Sequence, residues 1–224
     1  MLDTEKKRNL WIGILFVVVL SVFIVCYGKM QKPEEPITAT AFKLNTVVKV
    51  TIYDSQDEKI LQDALALCDK YEKIFSRTRT DSEIYLLNEG KLPQEDGYYI
   101  LSEECAELIG KGLYYSELSG GAFDITIYPV MELWGFTTKN YRVPESSEIA
   151  DVLKHVSYTN VEVNGQQVTL SDGASIDLGG IAKGYTSSRV IQIMKDCGIE
   201  HAIINLGGNV QVLGTKTDGS DWRV

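Results

Sequence analysis

The chain has 224 residues, with 22 Lys or Arg against 31 Asp or Glu and a formal net charge of −9. Hydrophobic residues at 44% and charged residues at 24% exclude a largely disordered chain, and the length is enough to bury a core without disulfide staples. No long basic run is present, which argues against a nucleic-acid partner held through phosphates.

The charge is unevenly spread. Residues 1–32 carry five basic and two acidic side chains, whereas the remaining 192 carry 17 basic and 29 acidic. Residues 10–27 (LWIGILFVVVLSVFIVCY) are free of charge. As a helix they rise about 27 Å, close to the thickness of a bilayer core. Lys6, Lys7 and Arg8 precede the run, and basic flanks stay cytoplasmic. The expectation is a basic cytoplasmic tail (1–9), a single membrane-spanning anchor (10–28), a polar proline-bearing linker (29–39) and an acidic domain (40–224) outside the cytoplasm. A lipidated Cys26 and a cleaved signal peptide are the alternatives, although Val25 is not the small residue that either favours.

From there the elements follow in chain order. Residues 42–53 are β-branched and partly alternating, which predicts a strand. Ser55 stands three before Glu58, a capping-box spacing, and predicts a helix over 57–75. DSEIYLLN (81–88) reads as a short helix, and residues 102–118 as a longer one stopped by Ser119, Gly120 and Gly121. MELWGF after Pro129 is a mixed apolar stretch, and Pro144 and Ser146 open a short helix ending near His155. Strands at 161–163 and 167–170 flank Asn164-Gly165, a hairpin signal. A strand is expected at 174–178 and a helix at 182–197 with Gly198 as its stop. Strands at 202–206 and 210–214 flank Gly207-Gly208-Asn209. No repeat is present, and the mixture without regular β-α alternation predicts an α+β fold of mixed or antiparallel sheets with packed helices.

Cys26, Cys68, Cys105 and Cys197 form no C-x-x-C pair, and with two His the chain offers no zinc pattern. All four sit among apolar residues and read as small buried hydrophobes.

Three polar, glycine-marked segments interrupt the apolar elements. In Gly120-Gly121-Ala122-Phe123-Asp124 a carboxylate lies among apolar neighbours, and on its own the segment also reads as a helix end and turn. Asp177-Leu178-Gly179-Gly180-Ile181-Ala182-Lys183-Gly184 runs from a strand through a glycine turn into a helix. Free amides and an ammonium group there suit an anion, although the order Lys-Gly-Tyr is no Walker loop. Asn205-Leu206-Gly207-Gly208-Asn209 alone is a hairpin.

Together, GGAFDITIYPVMELWGF (120–136), SIDLGGIAKGYTSSRV (175–190) and AIINLGGNVQVLG (202–214) resemble the ApbE family of flavin transferases, and FSRTRTDSEIYLLN (75–88) and LNTVVKVTIYD (44–54) are similar to that family's segments as well. The resemblance covers about residues 40–224. It implies a magnesium-dependent enzyme that splits FAD, releases AMP and attaches FMN through a phosphoester to a threonine of an acceptor flavoprotein. Such acceptors are subunits of redox complexes or extracellular electron-transfer proteins. It further implies that Ala122, Phe123 and Asp124 contact the flavin, that Asp177 and Lys183 contact FAD and act in catalysis, and that the Gly180 carbonyl ligates Mg²⁺. Leu44 falls where the family often has methionine against the flavin, and Thr78 where it often has an aromatic residue. Asp177 is also a candidate base for the threonine hydroxyl. Family chains continue beyond the position of Val224 and complete the magnesium site there. The sequence therefore reads as a truncated member with an incomplete metal site and an open sheet edge. An FAD pyrophosphatase and a non-catalytic flavin-binding surface protein are the competing functions.

Overall fold

The computed structural model describes residues 9, 11–22 and 35–224. Residues 11–22 form helix α1, with Trp11, Phe16 and their neighbours exposed. The membrane-spanning helix expected over 10–28 is not supported by these residues: no helix among the described residues is long and apolar enough to cross a membrane. Positions 10 and 23–28 of that span, and Cys26 with them, lie outside the described residues.

Residues 36–224 form a separate compact unit. It opens with strands β1 (Ile37–Lys43) and β2 (Thr46–Ile52), so pairing begins inside the stretch read as linker. The strand expected over 42–53 is in fact the second half of a hairpin. Lys43 pairs with Thr46, and Leu44 and Asn45 both take positive φ (53° and 56°), the geometry of a two-residue type I′ turn. Leucine resists this conformation by about 1–2 kcal/mol. The Leu44 N–H donates to a Glu72 carboxylate oxygen at 3.2 Å, which helps to hold it.

Helix α2 (Glu58–Phe75) follows, then α3 (Glu83–Asn88), the short strands β3 (Gln94–Glu95) and β4 (Tyr98–Ile100), and helix α4 (Glu103–Leu118). The N-cap of α2 is Asp57, whose carboxylate accepts from the Lys59 N–H. The Ser55 hydroxyl instead accepts from Asp57, so the expected capping box does not form. The mixed apolar stretch contains helix α5 (Tyr128–Leu133), and α6 (Ser146–Val152) closes its first turn with a Glu145–Glu148 capping box. Strands β5 (Val161–Asn164) and β6 (Gln167–Leu170) form the expected hairpin. Helix α7 (Ala182–Asp196) and the hairpin β7 (Ala202–Leu206) and β8 (Asn209–Leu213) are the last regular elements, and residues 214–224 follow without helix or strand. The strand expected at 174–178 pairs with no neighbour and runs as an extended segment.

The fold is α+β, as expected. Two four-stranded sheets, β1-β2-β7-β8 and β3-β4-β6-β5, are antiparallel throughout. Each faces its own apolar cluster. Val48, Val50, Ile52, Ile204 and Leu206 of the first sheet meet Ile60, Leu61, Ala64 and Cys68 of α2 and Val190, Ile191 and Met194 of α7. The other cluster collects Ile84, Leu87, Leu108, Ile109, Ile125, Val168, Ile176 and Leu178. Helices α2 and α7 belong to both, since Tyr71, Ile74 and Phe75 at the end of α2 and Ala182 and Tyr185 at the start of α7 lie in the second cluster. Cys68 and Cys105 are buried as expected, and burial pushes the Cys68 thiol up to about 11. Cys197 is exposed instead, because it caps the C-terminus of α7 rather than facing a core.

Candidate functional site

The glycine turn Gly179-Gly180 ends the extended segment and starts α7, and it is held from several sides. The Asn88 side chain donates through Nδ2 to the Ile176 carbonyl at 2.9 Å and accepts the Ile176 N–H through Oδ1 at 2.7 Å. A side-chain amide thus replaces the sheet neighbour that this segment lacks. The Asp177 N–H donates to the Ile125 carbonyl at 2.7 Å. Asn88→Ala removes both partners of a buried backbone unit, and a loss of about 1–3 kcal/mol in unfolding free energy is expected by denaturant titration. An unchanged midpoint and slope would show that the clamp is idle.

Asp177 lies on the cleft side of the turn. Its Oδ1 accepts the Gly179 N–H at 2.7 Å, and its Oδ2 stands 3.0 Å from Arg77 Nη1. Arg77, Thr78 and Leu44, from the loop after α2 and the β1-β2 turn, line the same cleft of about 430 Å³ together with Phe136, Tyr141, Gly179 and Lys183. Four of the residues predicted for the site, Leu44, Thr78, Asp177 and Lys183, are therefore brought together.

The other predicted residues are distributed differently. Ala122, Phe123 and Asp124 line neither this cleft nor the hollow beside it. Both oxygens of the Asp124 carboxylate are committed to local structure: Oδ1 accepts from the Thr126 N–H and hydroxyl at 2.8 and 2.7 Å, and Oδ2 from the Tyr158 N–H at 2.8 Å. The Phe123 ring packs on the glycine turn, and a Cβ added at Gly180 would come within 2.9 Å of Phe123 Cε2. That close approach explains glycine at 180.

The adjoining hollow, about 660 Å³, shares Gly179 and Lys183 with the cleft and adds Gly180, Lys111, Tyr185 and Arg189. It contains a polar cluster that sequence reasoning did not identify. The Tyr185 hydroxyl donates to Glu107 Oε2 at 2.6 Å, and Arg189 and Lys111 pair with the same carboxylate. Burial pushes the Tyr185 phenol up, and its bond to Glu107 pushes it further. Burial works the other way on Glu107, but hydrogen bonds from Tyr185 and Lys111 and the Arg189 charge win, and hold its carboxyl below the usual range. The signal for this cluster was the helical spacing of Tyr185 and Arg189, one turn apart on α7.

The fit to a divalent cation is poor within this part of the chain. No group of three or more His, Cys, Asp or Glu among the described residues is arranged to hold a metal ion. Magnesium is ordinarily held by one or two carboxylates together with waters and substrate phosphates, and the Gly180 carbonyl expected as a ligand has no such carboxylate cluster beside it among the described residues.

Known proteins match these segments. A family model described as the ApbE family covers residues 44–224. The FAD:protein FMN transferase of Treponema pallidum is 25% identical over 92% of this chain and 58% of its own length, and that of Klebsiella pneumoniae is 30% identical over 80% and 57%. Among solved structures, the ApbE protein of Thermotoga maritima superposes with a TM-score of 0.74 at 33% identity, over 83% of this chain and 61% of that one. The apo form of the flavinyl transferase ApbE of Pseudomonas stutzeri does so at 0.76 and 26%, over 86% and 66%. The chain thus spans less than two thirds of each relative. Since the matched region covers most of the chain and takes in the Leu44 turn, the Arg77 loop, the glycine turn and α7, leaving out only the β1 edge of the cleft at Phe42, the chain belongs to the ApbE family.

Proposed function

We propose that the chain acts as, or as part of, an FAD:protein FMN transferase. FAD is its substrate, and a flavoprotein bearing a target threonine is its acceptor. The observation that carries this reading is the convergence of Leu44, Thr78, Asp177 and Lys183 on one cleft at a helix-opening glycine turn. Free amides at the start of α7 and the Lys183 ammonium suit the diphosphate of a dinucleotide. Leu44 and the aromatic rings of Phe136 and Tyr141 offer apolar surface to a planar ring system.

In the reaction, the threonine oxygen forms a bond to the phosphorus of the FMN half. The bond from that phosphorus to the bridging oxygen breaks, AMP leaves with that oxygen, and the threonine proton passes to a base. Each Asp177 oxygen makes one contact and keeps lone-pair capacity, so this carboxylate serves as the acceptor of the proton. Lys183 stabilises the charge that gathers on the phosphoryl oxygens. Magnesium belongs to the proposal through the Gly180 carbonyl alone; the described residues do not complete its site, and no step above depends on it.

The test is incubation with FAD, Mg²⁺ and a threonine-bearing acceptor domain. A mass gain of one FMN on the acceptor, with free AMP, is the expected result. Free FMN without labelling would mean that water is the acceptor. A retained yellow colour with no AMP would favour flavin binding without catalysis.

Membrane attachment belongs to the same proposal. The basic tail and the uncharged run 10–27 support an anchor with residues 29–224 on the outer face, joined to acceptors on that side. Fractionation followed by protease treatment of intact cells tests it; a protein that is washed from membranes, or shielded from protease, would count against it.

A further inference from the structure

We infer that Arg77, although it lines the cleft, is a positioning residue for Asp177: through its sealed Nη1 the guanidinium fixes the carboxylate against the glycine turn, and its effect on the nucleotide passes through Asp177. This rests on the flavin-nucleotide reading of the cleft. Asp177 Oδ1 is held by the Gly179 N–H at 2.7 Å, but one hydrogen bond leaves the terminal carboxylate torsion, a broad one, free to swing. Arg77 Nη1, 3.0 Å from Oδ2, removes that freedom by engaging the second oxygen from the opposite element. The main chain beneath is already fixed by Asn88 on Ile176 and by the Ile125 carbonyl on Asp177. The side-chain torsions are thus the last degrees of freedom in the segment, and Arg77 closes them.

Arg77 is itself anchored. Its loop is pinned where the Ser82 hydroxyl donates to the Ser76 carbonyl and the Arg79 N–H donates to the Ser76 hydroxyl at 3.2 Å. Its guanidinium carbon lies 5.7 Å from the centroid of the Tyr128 ring on α5, a cation–π contact. The Arg77 and Asp177 side chains are 18% and 10% exposed. Nη1 is sealed from solvent and makes no aligned hydrogen bond, so the pair is held by charge at short range, and a ligand in the cleft meets Asp177 rather than this nitrogen. Buried ion pairs are poor sources of net stability, which leaves geometry as what this one supplies. Arg79, two residues on, is exposed and pairs with Asp81, so it does not duplicate the role.

The test compares wild type, Arg77→Lys, Arg77→Met, Asp177→Asn and the Arg77→Met/Asp177→Asn double variant, in the 224-residue chain. FAD affinity is read from quenching of flavin fluorescence, and Gly179 amide exchange is read by NMR. Arg77→Met and Asp177→Asn should each weaken FAD about tenfold, and the double variant should be no weaker than Asp177→Asn alone, as for two residues acting in series. Gly179 exchange should quicken about tenfold in Arg77→Met and be partly restored in Arg77→Lys, which keeps the charge and loses the fork. Additive losses of affinity would overturn the inference, because Arg77 would then touch the nucleotide itself. Unaltered Gly179 exchange would overturn it too. If wild type binds no FAD, the flavin reading fails, while the exchange data still judge Arg77. If Arg77→Met does not fold, Arg77→Lys carries the comparison: intermediate exchange supports the inference and wild-type exchange overturns it.

Discussion

Replacing Lys183 by Met should weaken FAD binding by tenfold or more while leaving thermal unfolding where it was. The side chain is half-buried at the first turn of α7, borders both the cleft and the hollow, and takes part in none of the ion pairs among the described residues. Its charge therefore does no structural work. A charge-assisted hydrogen bond to a phosphate oxygen contributes about 1.5–3 kcal/mol, which is tenfold or more in affinity. Loss of a half-exposed ammonium that neutralises no neighbour costs the fold about 0.5 kcal/mol or less. Calorimetric titration with FAD and with AMP measures the first effect, and a melting curve the second. Unchanged FAD affinity in a folded Lys183→Met protein would remove the diphosphate from this turn.

A large effect on stability is expected at Gly214→Ala. Gly214 follows β8 at φ +58°, where an added Cβ would stand 2.1 Å from the carbonyl oxygen of Glu200. That oxygen is main chain and cannot swing aside as a side chain would. The residues around it are also tied: the Glu200 and His201 N–H groups donate to Asp54, and the Gly214 carbonyl accepts from the Trp222 indole at 2.8 Å. Relief of the clash has to move the start of β7. Together with the left-handed backbone this should cost about 3 kcal/mol, or roughly 6–12 °C in melting temperature. Gly110→Ala is the control, since nothing lies within 4 Å of its Cβ and the position is helical. It should be neutral or slightly stabilising. Equal melting temperatures for the two variants would contradict the argument.

The sequence was most readable where periodicity and punctuation agreed. Helix α7 with Gly198 and the Asn164-Gly165 hairpin appear within a residue or so of expectation. The first hairpin was hidden because Leu44-Asn45 occupies positions where asparagine and glycine are the usual signal; tertiary support from Glu72 overrides local preference there. By contrast, Asp96-Gly97, both at positive φ, is the ordinary signal for the β3-β4 hairpin and went unread, because the flanking strands are too short to show alternation. The segment 174–178 reads as a strand by composition, yet its hydrogen bonds go to Asn88 and Ile125. No local pattern encodes a partner 88 positions away.

For the site, motif order identified the turn, Asp177 and Lys183, and the cleft brings Leu44 and Thr78 to them. Asp124 came from the same reasoning, but a carboxylate among apolar residues is equally what a buried loop clamp requires, and its three bonds go to such a clamp. Arg77 was missed for the opposite reason. In Arg-Thr-Arg nothing local distinguishes an arginine that turns inward from one that remains in water.

Helices α2 and α7 each give one end to one apolar cluster and the other end to its counterpart. Neither sheet can lose its packing without stripping two helices from the other, so the unit should melt as a single body. If a nucleotide seats at the first turn of α7, as proposed, it would sit where that shared helix passes between clusters, and its binding should raise the melting temperature of the whole unit rather than of one sheet.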